Sequence, residues 1–159
     1  MTRGKLVLAV ATSPRGFAFV LFHDPTAPLD WGIKTIPGEQ KNPRCLLAIK
    51  KLLRLYHPSV IVLEETGKDS RRGPRLRALN RDIAELATRE KVKVIRLTTA
   101  KVRATFAPAN ARTKAEIAKV IAGKIPAFAP KLPPPRKIWM SEDPRQSLFD
   151  AVALGMTYT

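Results

Sequence analysis

The sequence predicts an α/β fold in which a mixed five-stranded sheet carries helices on both faces. Three strand-like apolar segments joined by short turns open the chain, which indicates an antiparallel meander. Helical spacing then alternates with two further apolar strands, which indicates helices packed on the sheet. With 159 residues, of which 45% are hydrophobic, the chain is expected to form a single domain over 1–159.

The meander is predicted from three strand-like segments joined by short connections. Residues 5–12 are apolar without a helical period, and residues 17–23 alternate large and small apolar side chains. Residues 29–36 alternate apolar and polar side chains, which is typical of an edge strand. Proline and glycine between these segments supply the turns.

The second half of the chain is predicted from caps and apolar spacing. Asn42 is expected to cap a helix with Pro43 at its first position, and this helix ends before Pro58. Thr113 and Glu116 have the spacing of a capping box. We expect strands over 59–65 and 92–97, helices over 76–86, 99–106 and 113–121, a last helix opened by Asp143-Pro144, and an irregular proline-rich loop over 126–135.

Cysteine content and hydropathy limit the cellular compartments in which the protein is expected. Cys45 is the single cysteine, so no internal disulfide is expected, and no Cys/His spacing indicates zinc. No signal peptide is apparent, and no stretch approaches the roughly 20 apolar residues of a membrane span. We expect a cytoplasmic protein, associated with the nucleoid if the source is bacterial, and no membrane partner.

Charge is the strongest compositional signal. Lys and Arg number 29 and Asp and Glu 13, which gives a formal net charge of +16. Such a charge attracts polyanions, and nucleic acid is the commonest of them. An anionic membrane surface or an acidic protein is the alternative, but no stretch has the aromatic face of an interfacial helix.

Acidic residues in apolar surroundings are the candidates for chemistry. Glu64 and Glu65 end an apolar strand, at the end where open α/β sheets bind their ligands. Both acids can equally be surface residues at the point where the strand reaches solvent. Asp150 lies in an apolar helix, where a carboxylate needs a cation or a metal. Asp143 and Glu142 precede it on the same side; they are candidate Mg²⁺ ligands, but acids near a helix start are also favoured by capping.

Basic residues follow the acid pair closely. The segment from Lys68 to Arg81 has six basic residues and one acid, so it is a candidate phosphate-binding surface or a solvated helix face. A further basic pair, Arg136 and Lys137, lies beside Trp139, which can stack on a base or pack. The candidate nucleic-acid-binding residues are Lys68, Arg71, Arg72, Arg75, Arg77, Arg81, Lys101, Arg103, Arg112 and Lys114.

The chain resembles the RNase H-like superfamily and, more narrowly, the RuvC family of Holliday junction resolvases. The segments that carry the resemblance are VLAVATSPRGFAF at 7–19, VIVLEE at 60–65 and FDAVALG at 149–155. The segments TAKVRATF at 99–106 and TKAEIA at 113–118 are also similar to that family. The resemblance covers nearly the whole chain in order and implies an RNase H-like sheet.

The resemblance also implies a metal-dependent endonuclease site. The family binds two divalent cations, Mg²⁺ or Mn²⁺, through an acid in the first strand, one ending the fourth strand and two in the last helix. The fourth-strand acid falls on Glu64, with Glu65 beside it, and the last helical acid falls on Asp150. The first-strand acid falls on Ala11, and the other helical acid falls on Ser147, for which Asp143 or Glu142 would have to compensate.

Two interpretations of the function therefore stay open. One is a RuvC-like protein that binds branched DNA, as a homodimer, and cuts four-way junctions with Mg²⁺ in recombination and repair. The alternative is a catalytically impaired relative that binds nucleic acid, or an RNA-associated structural protein. We expect Glu64 and Asp150 to approach each other beside Ala11, metal affinity and cleavage to be weak, and Ala11→Asp to tighten Mn²⁺ binding.

Overall fold

The sheet follows the predicted plan of a meander extended by parallel strands. The computed structural model describes residues 5–24, 26–66, 73–135 and 142–159. The strands of the sheet are β1 (Val7–Ser13), β2 (Gly16–Asp24), β3 (Ala27–Thr35), β4 (Val60–Glu64) and β5 (Lys93–Leu97). Their spatial order is β3-β2-β1-β4-β5. β1 and β3 pair antiparallel with β2, whereas β4 pairs parallel with both β1 and β5.

Helices cover both faces of this mixed sheet, which confirms the predicted fold class. The helices are α1 (Lys41–Tyr56), α2 (Pro74–Arg89), α3 (Thr99–Phe106), α4 (Lys114–Lys124) and α5 (Gln146–Tyr158). Helices α1 and α2 pack together on one face, and α3 and α4 pack against α5 on the other. Among the described residues, no helix has the length and apolar content needed to cross a membrane.

The pleat of the sheet divides the core into two halves. Val7, Ala9 and Ala11 of β1 belong to the cluster under α5, while Leu8 and Val10 belong to the cluster under α1 and α2. Successive strand residues point to opposite faces, so this alternation fixes which polar residues can meet. On β4, Val62 is on the α5 face, which places the next residue of that parity, Glu64, on the same face.

Two predicted helix starts are wrong, and each has a local reason. Gln40, in the left-handed conformation with φ 58°, precedes α1, so Asn42 is inside the helix. The Asn42 side chain instead donates to the carbonyl of Arg75 at 3.0 Å and accepts from its guanidinium at 2.9 Å, which ties α1 to α2. Helix α5 begins at Gln146 because Asp143 and Pro144 form a turn whose carbonyls accept from Gln146 and Ser147.

The predicted capping box is present, and the proline-rich loop is partly regular. The Thr113 side chain accepts from the backbone of Glu116, and the Glu116 side chain accepts from that of Thr113. Pro126–Lys131 forms a 3₁₀ helix that buries Phe128. The Phe128 ring lies edge-on to Trp31 at 5.1 Å and to Phe149 of α5 at 6.3 Å, so this segment closes the core under α5.

Candidate functional site

Three of the positions at which the family resemblance implies an acid line one cavity of about 410 Å³, here called the site cavity. Ala11 enters it from β1, Glu64 from the end of β4 and Asp150 from α5. The parallel register pairs Ala9 with Val62, which brings Ala11 to the level of Glu64 on the same face. The other residues that line it are Thr99, Val102, Arg103, Arg112, Thr113, Lys114, Ile117, Ala153 and Leu154.

Asp150 is placed by the packing of α5. Its neighbours Phe149 and Ala151 are almost fully buried, whereas the Asp150 side chain is 21% exposed at the rim of the site cavity. The carboxylate accepts a hydrogen bond from the Gln146 amide at 3.1 Å, one helical turn earlier. It also lies 3.5 Å from the ammonium of Lys114, which compensates the negative charge of Asp150.

Lys114 stands between two carboxylates. Its Nζ is 3.5 Å from Oδ2 of Asp150 and 3.4 Å from Oε2 of Glu142. Lys114 is the first residue of α4, directly after the capping residue Thr113. The capping box therefore fixes the backbone from which the lysine side chain reaches both acids.

Glu64 sits between the site cavity and a neighbouring one. Its Oε1 accepts a hydrogen bond from the Thr99 hydroxyl at 3.3 Å, at the start of α3. A second cavity of about 530 Å³ lies on the other side of Glu64. The second cavity is lined by Leu63, Glu64, Glu65, Thr66, Arg77, Asn80, Arg81 and Arg96.

Glu65 does not share the site cavity with Asp150. It is exposed after the end of β4, and its backbone N–H donates to Leu97 at 2.7 Å. The parity of the strand separates it from Glu64, because consecutive side chains face opposite ways. Thr12 likewise turns away from Ala11 and donates its hydroxyl to the buried Asn80 of α2 at 3.0 Å.

Glu142 and Asp143 lie in a groove next to the site cavity rather than inside it. This proline groove, of about 540 Å³, runs between the start of α4 and residues 132–135. The Asp143 carboxylate accepts from Nε and Nη2 of Arg145 at 2.9 and 2.8 Å. The Arg145 guanidinium holds the pKa of Asp143 down at about 2. Asp143 is therefore engaged by an arginine and is not brought to Glu64 and Asp150.

This ion pair makes a pH-dependent contribution to stability. The pKa of Asp143 falls from 3.8 to about 2 on folding, so its contribution is present above about pH 4 and is lost as pH falls towards 2. We expect Asp143→Asn to lower the free energy of unfolding by about 1 kcal/mol at pH 7, a value reduced because the pair is partly exposed. Urea unfolding at several pH values measures it; a difference that stays constant between pH 7 and pH 3 would contradict it.

The basic candidates that the structure describes fall into three groups. Arg103, Arg112 and Lys114 line the site cavity, and Lys101 is exposed on the same short helix as Arg103. Arg77 and Arg81 line the second cavity. Arg75 has a structural contact, since its guanidinium donates to the carbonyl of Pro14 and to Asn42. Lys68, Arg71 and Arg72, and also Arg136, Lys137 and Trp139, lie outside the described residues.

Sequence reasoning missed Thr99 and Arg96 as neighbours of Glu64. The sequence pattern assigns Thr99 only to a short helix, yet its hydroxyl donates to Glu64. Its position directly after β5 was the available signal, because the carboxyl ends of parallel strands meet at one edge of a sheet. Arg96 is an exposed residue of β5 next to the buried Leu97, and a basic residue in such a position indicates by itself only a strand with one face in solvent.

The residues present do not fit a site for two divalent cations. Among the described residues, no group of three His, Cys, Asp or Glu side chains is arranged to hold a metal ion. Ala11 contributes a methyl group where the resemblance implies an acid, and Ser147 donates its hydroxyl to Pro144 at 2.8 Å. Lys114 places a positive charge beside Asp150, which disfavours a second cation there.

Comparison with solved structures identifies the same architecture elsewhere. The RuvC structure from Thermus thermophilus matches with a TM-score of 0.66 and 15% identity, over 96% of this chain and 92% of that one. T. thermophilus RuvC in complex with a Holliday junction substrate matches with a TM-score of 0.64 and 16% identity, over 96% of this chain and 91% of that one. The fowlpox virus resolvase with Holliday junction DNA matches with a TM-score of 0.53 and 14% identity, over 96% of this chain and 97% of that one.

Sequence comparison adds nothing to this likeness. No family model matches the chain, and no curated protein matches it significantly. At 14–16% identity the structural matches establish the fold.

Proposed function

Because the chain has the RNase H-like fold of RuvC-type Holliday junction resolvases, we propose that it binds branched DNA, such as four-way junctions, at the site cavity. The observation that carries the proposal is the make-up of that cavity. Arginine and lysine side chains surround the edge of the sheet at which the acids of the fold would stand, and a methyl group replaces one of those acids. The proposed activity is binding rather than hydrolysis.

Phosphate groups are the natural ligands of this surface. Arg103 projects from α3 and Arg112 from the segment before α4, and both side chains are exposed at the site cavity. Neither arginine takes part in an ion pair among the described residues. An arginine fork donates two parallel hydrogen bonds to phosphate oxygens, so these two residues are placed to hold the backbone of a strand.

The charge of the whole chain supports the same partner. A net charge of +16 attracts any nucleic acid and produces salt-dependent affinity without sequence preference. The preference for branched DNA is instead inferred from the fold, since two proteins with this architecture are named in complexes with Holliday junctions. A homodimer, expected from the same resemblance, stays a prediction.

Metal-dependent cleavage is the weaker candidate. A divalent cation, when bound, supplies an activated water and neutralises charge on the scissile phosphate. Glu64 and Asp150 would be its ligands, but the donor set and the neighbouring Lys114 do not fit a pair of such ions. In this proposal Glu64 and Asp150 are part of the binding site, and neither acid takes part in a hydrolytic step.

A competition assay tests the proposal. A labelled four-way DNA junction is bound to the protein and displaced with unlabelled junction, linear duplex of the same sequence or a structured RNA of equal length. We expect the junction to compete at least about tenfold better than duplex, as for a specific over a non-specific nucleic-acid complex. Equal competition by all three would reduce the function to general polyanion binding, and preference for the RNA would favour the RNA-associated alternative.

A further inference from the structure

Acidic and basic side chains surround the site cavity together. Of the described carboxylates, Glu64 and Asp150 line it, and Glu142 is linked to it through Lys114. The described cations that line it are Arg103, Arg112 and Lys114. Carboxylates that cluster near an apolar helix need compensating positive charge, and here side chains of the chain provide it.

Lys114 is the cation in contact with two of these acids. Its ammonium lies 3.4 Å from Glu142 and 3.5 Å from Asp150, at the junction between the site cavity and the proline groove. An ammonium donates three hydrogen bonds as a compact point charge, so it can bridge oxygens from two elements. Here it joins the segment before α5 to α5 itself.

The position of Lys114 on its helix supports a specific role. The amino end of a helix carries partial positive charge and disfavours a lysine. Lys114 is nevertheless the first residue of α4, and the adjoining Thr113 and Glu116 form a complete capping box. The contacts with Glu142 and Asp150 offset the unfavourable helix dipole, and the capping box fixes the point from which the side chain extends.

We propose that the Lys114 ammonium is the resident cation of this site and takes the place of a divalent ion between Asp150 and Glu142. The site is then a phosphate-binding pocket that needs no metal, and a neutral residue at 114 exposes a latent divalent-cation site. The DNA-binding part of this inference rests on the proposed function, whereas the cation assignment is tested without DNA.

The decisive variant is Lys114→Met, which keeps the unbranched shape and most of the length of the side chain and removes its charge. Titration calorimetry with Mn²⁺ alone should show weak binding to the unmodified protein and binding at least about tenfold tighter to the variant, because a +1 charge next to the ion has been removed. Adding Glu142→Gln or Asp150→Asn to Lys114→Met should abolish the gain, since each replaces an anionic carboxylate by a neutral amide.

Lys124→Met is the matched control. Lys124 is another exposed lysine of α4, and among the described residues it makes no ion pair and does not line the proline groove, so its loss changes the net charge equally without touching the acids. We expect its Mn²⁺ affinity to equal that of the unmodified protein. Lys114→Gln serves in addition if the methionine variant unfolds, as judged by circular dichroism.

Two results would overturn the assignment. One is an Mn²⁺ affinity of Lys114→Met or Lys114→Gln that equals that of the Lys124→Met control. The other is tight Mn²⁺ binding by the unmodified protein. Failure of the unmodified protein to prefer junction DNA would overturn the proposed function while leaving a positive Mn²⁺ result, and hence the cation assignment, intact.

Discussion

Replacing both Arg103 and Arg112 with glutamine is expected to weaken binding of a four-way DNA junction about 100-fold at low salt. Each guanidinium faces the site cavity, and each is expected to contribute one phosphate contact. Loss of two phosphate contacts should also reduce the slope of log affinity against log salt by about two units. Fluorescence anisotropy at several salt concentrations measures the affinity and the slope together.

The control for this variant removes equal charge far from the site cavity. Lys51 is exposed on α1, on the opposite face of the sheet, and Lys93 is exposed at the amino end of β5. The Lys51→Gln, Lys93→Gln protein should lose only the small long-range part of the affinity and keep the salt slope. Equal losses in the two double variants would show that the site cavity is not the DNA-binding face.

Arg75 is unsuitable for such a test. Its guanidinium donates to Pro14 and Asn42, so its replacement would disturb the junction of α1, α2 and the turn between β1 and β2. A combined Arg71, Arg72 and Arg75 variant would mix that structural effect with the loss of charge. Arg71→Gln with Arg72→Gln alone tests whether the basic residues that follow Glu65 in the sequence add to binding.

Phe149→Ala is expected to cost about 3–5 kcal/mol of unfolding free energy, a large part of the stability of a domain of this size. The ring is 1% exposed and packs edge-on against Phe128, which in turn packs against Trp31. Its removal leaves a cavity under the segment of α5 that carries Asp150. Urea unfolding gives the free energy, and junction binding by the same sample should fall as Asp150 loses its support.

Leu55→Ala provides the comparison for the core variant. Leu55 is 68% exposed on α1, so its truncation should change the free energy of unfolding by no more than about 0.5 kcal/mol. A loss of about 1 kcal/mol or less for Phe149→Ala would mean that Pro126–Lys131 does not close the core as the packing indicates.

The elements that depend on local pattern were predictable from the sequence. The continuous apolar run of β1 follows from burial on both faces, and the apolar spacing along α2 follows from burial of one face. The capping box of α4 depends on two residues three positions apart. That Glu64 and Asp150 line one cavity was also predictable, because an acid at the end of a parallel strand and an acid in the helix across that face share one edge of the sheet.

The contacts that depend on tertiary placement were not predictable. Nothing in the sequence around Lys114 indicates that its side chain bridges Glu142 and Asp150, which lie 28 and 36 residues away. The sequence pattern at Asp143 indicates a metal ligand or a cap and does not reveal the pairing with Arg145, which depends on the turn before α5. The pattern at Asn42 indicates a helix cap and does not reveal its partner, Arg75, which belongs to another helix.

The most direct test of a metal-independent branched-DNA-binding domain is one incubation series with an end-labelled four-way junction. The protein is added to the junction in EDTA, in Mg²⁺ and in Mn²⁺, and each sample is divided between a native and a denaturing gel. We predict a retarded complex of the same affinity in all three conditions, with intact strands throughout. Strands cut in Mg²⁺ or Mn²⁺ but not in EDTA, with cutting abolished by Asp150→Asn, would contradict this account and establish a metal-dependent nuclease.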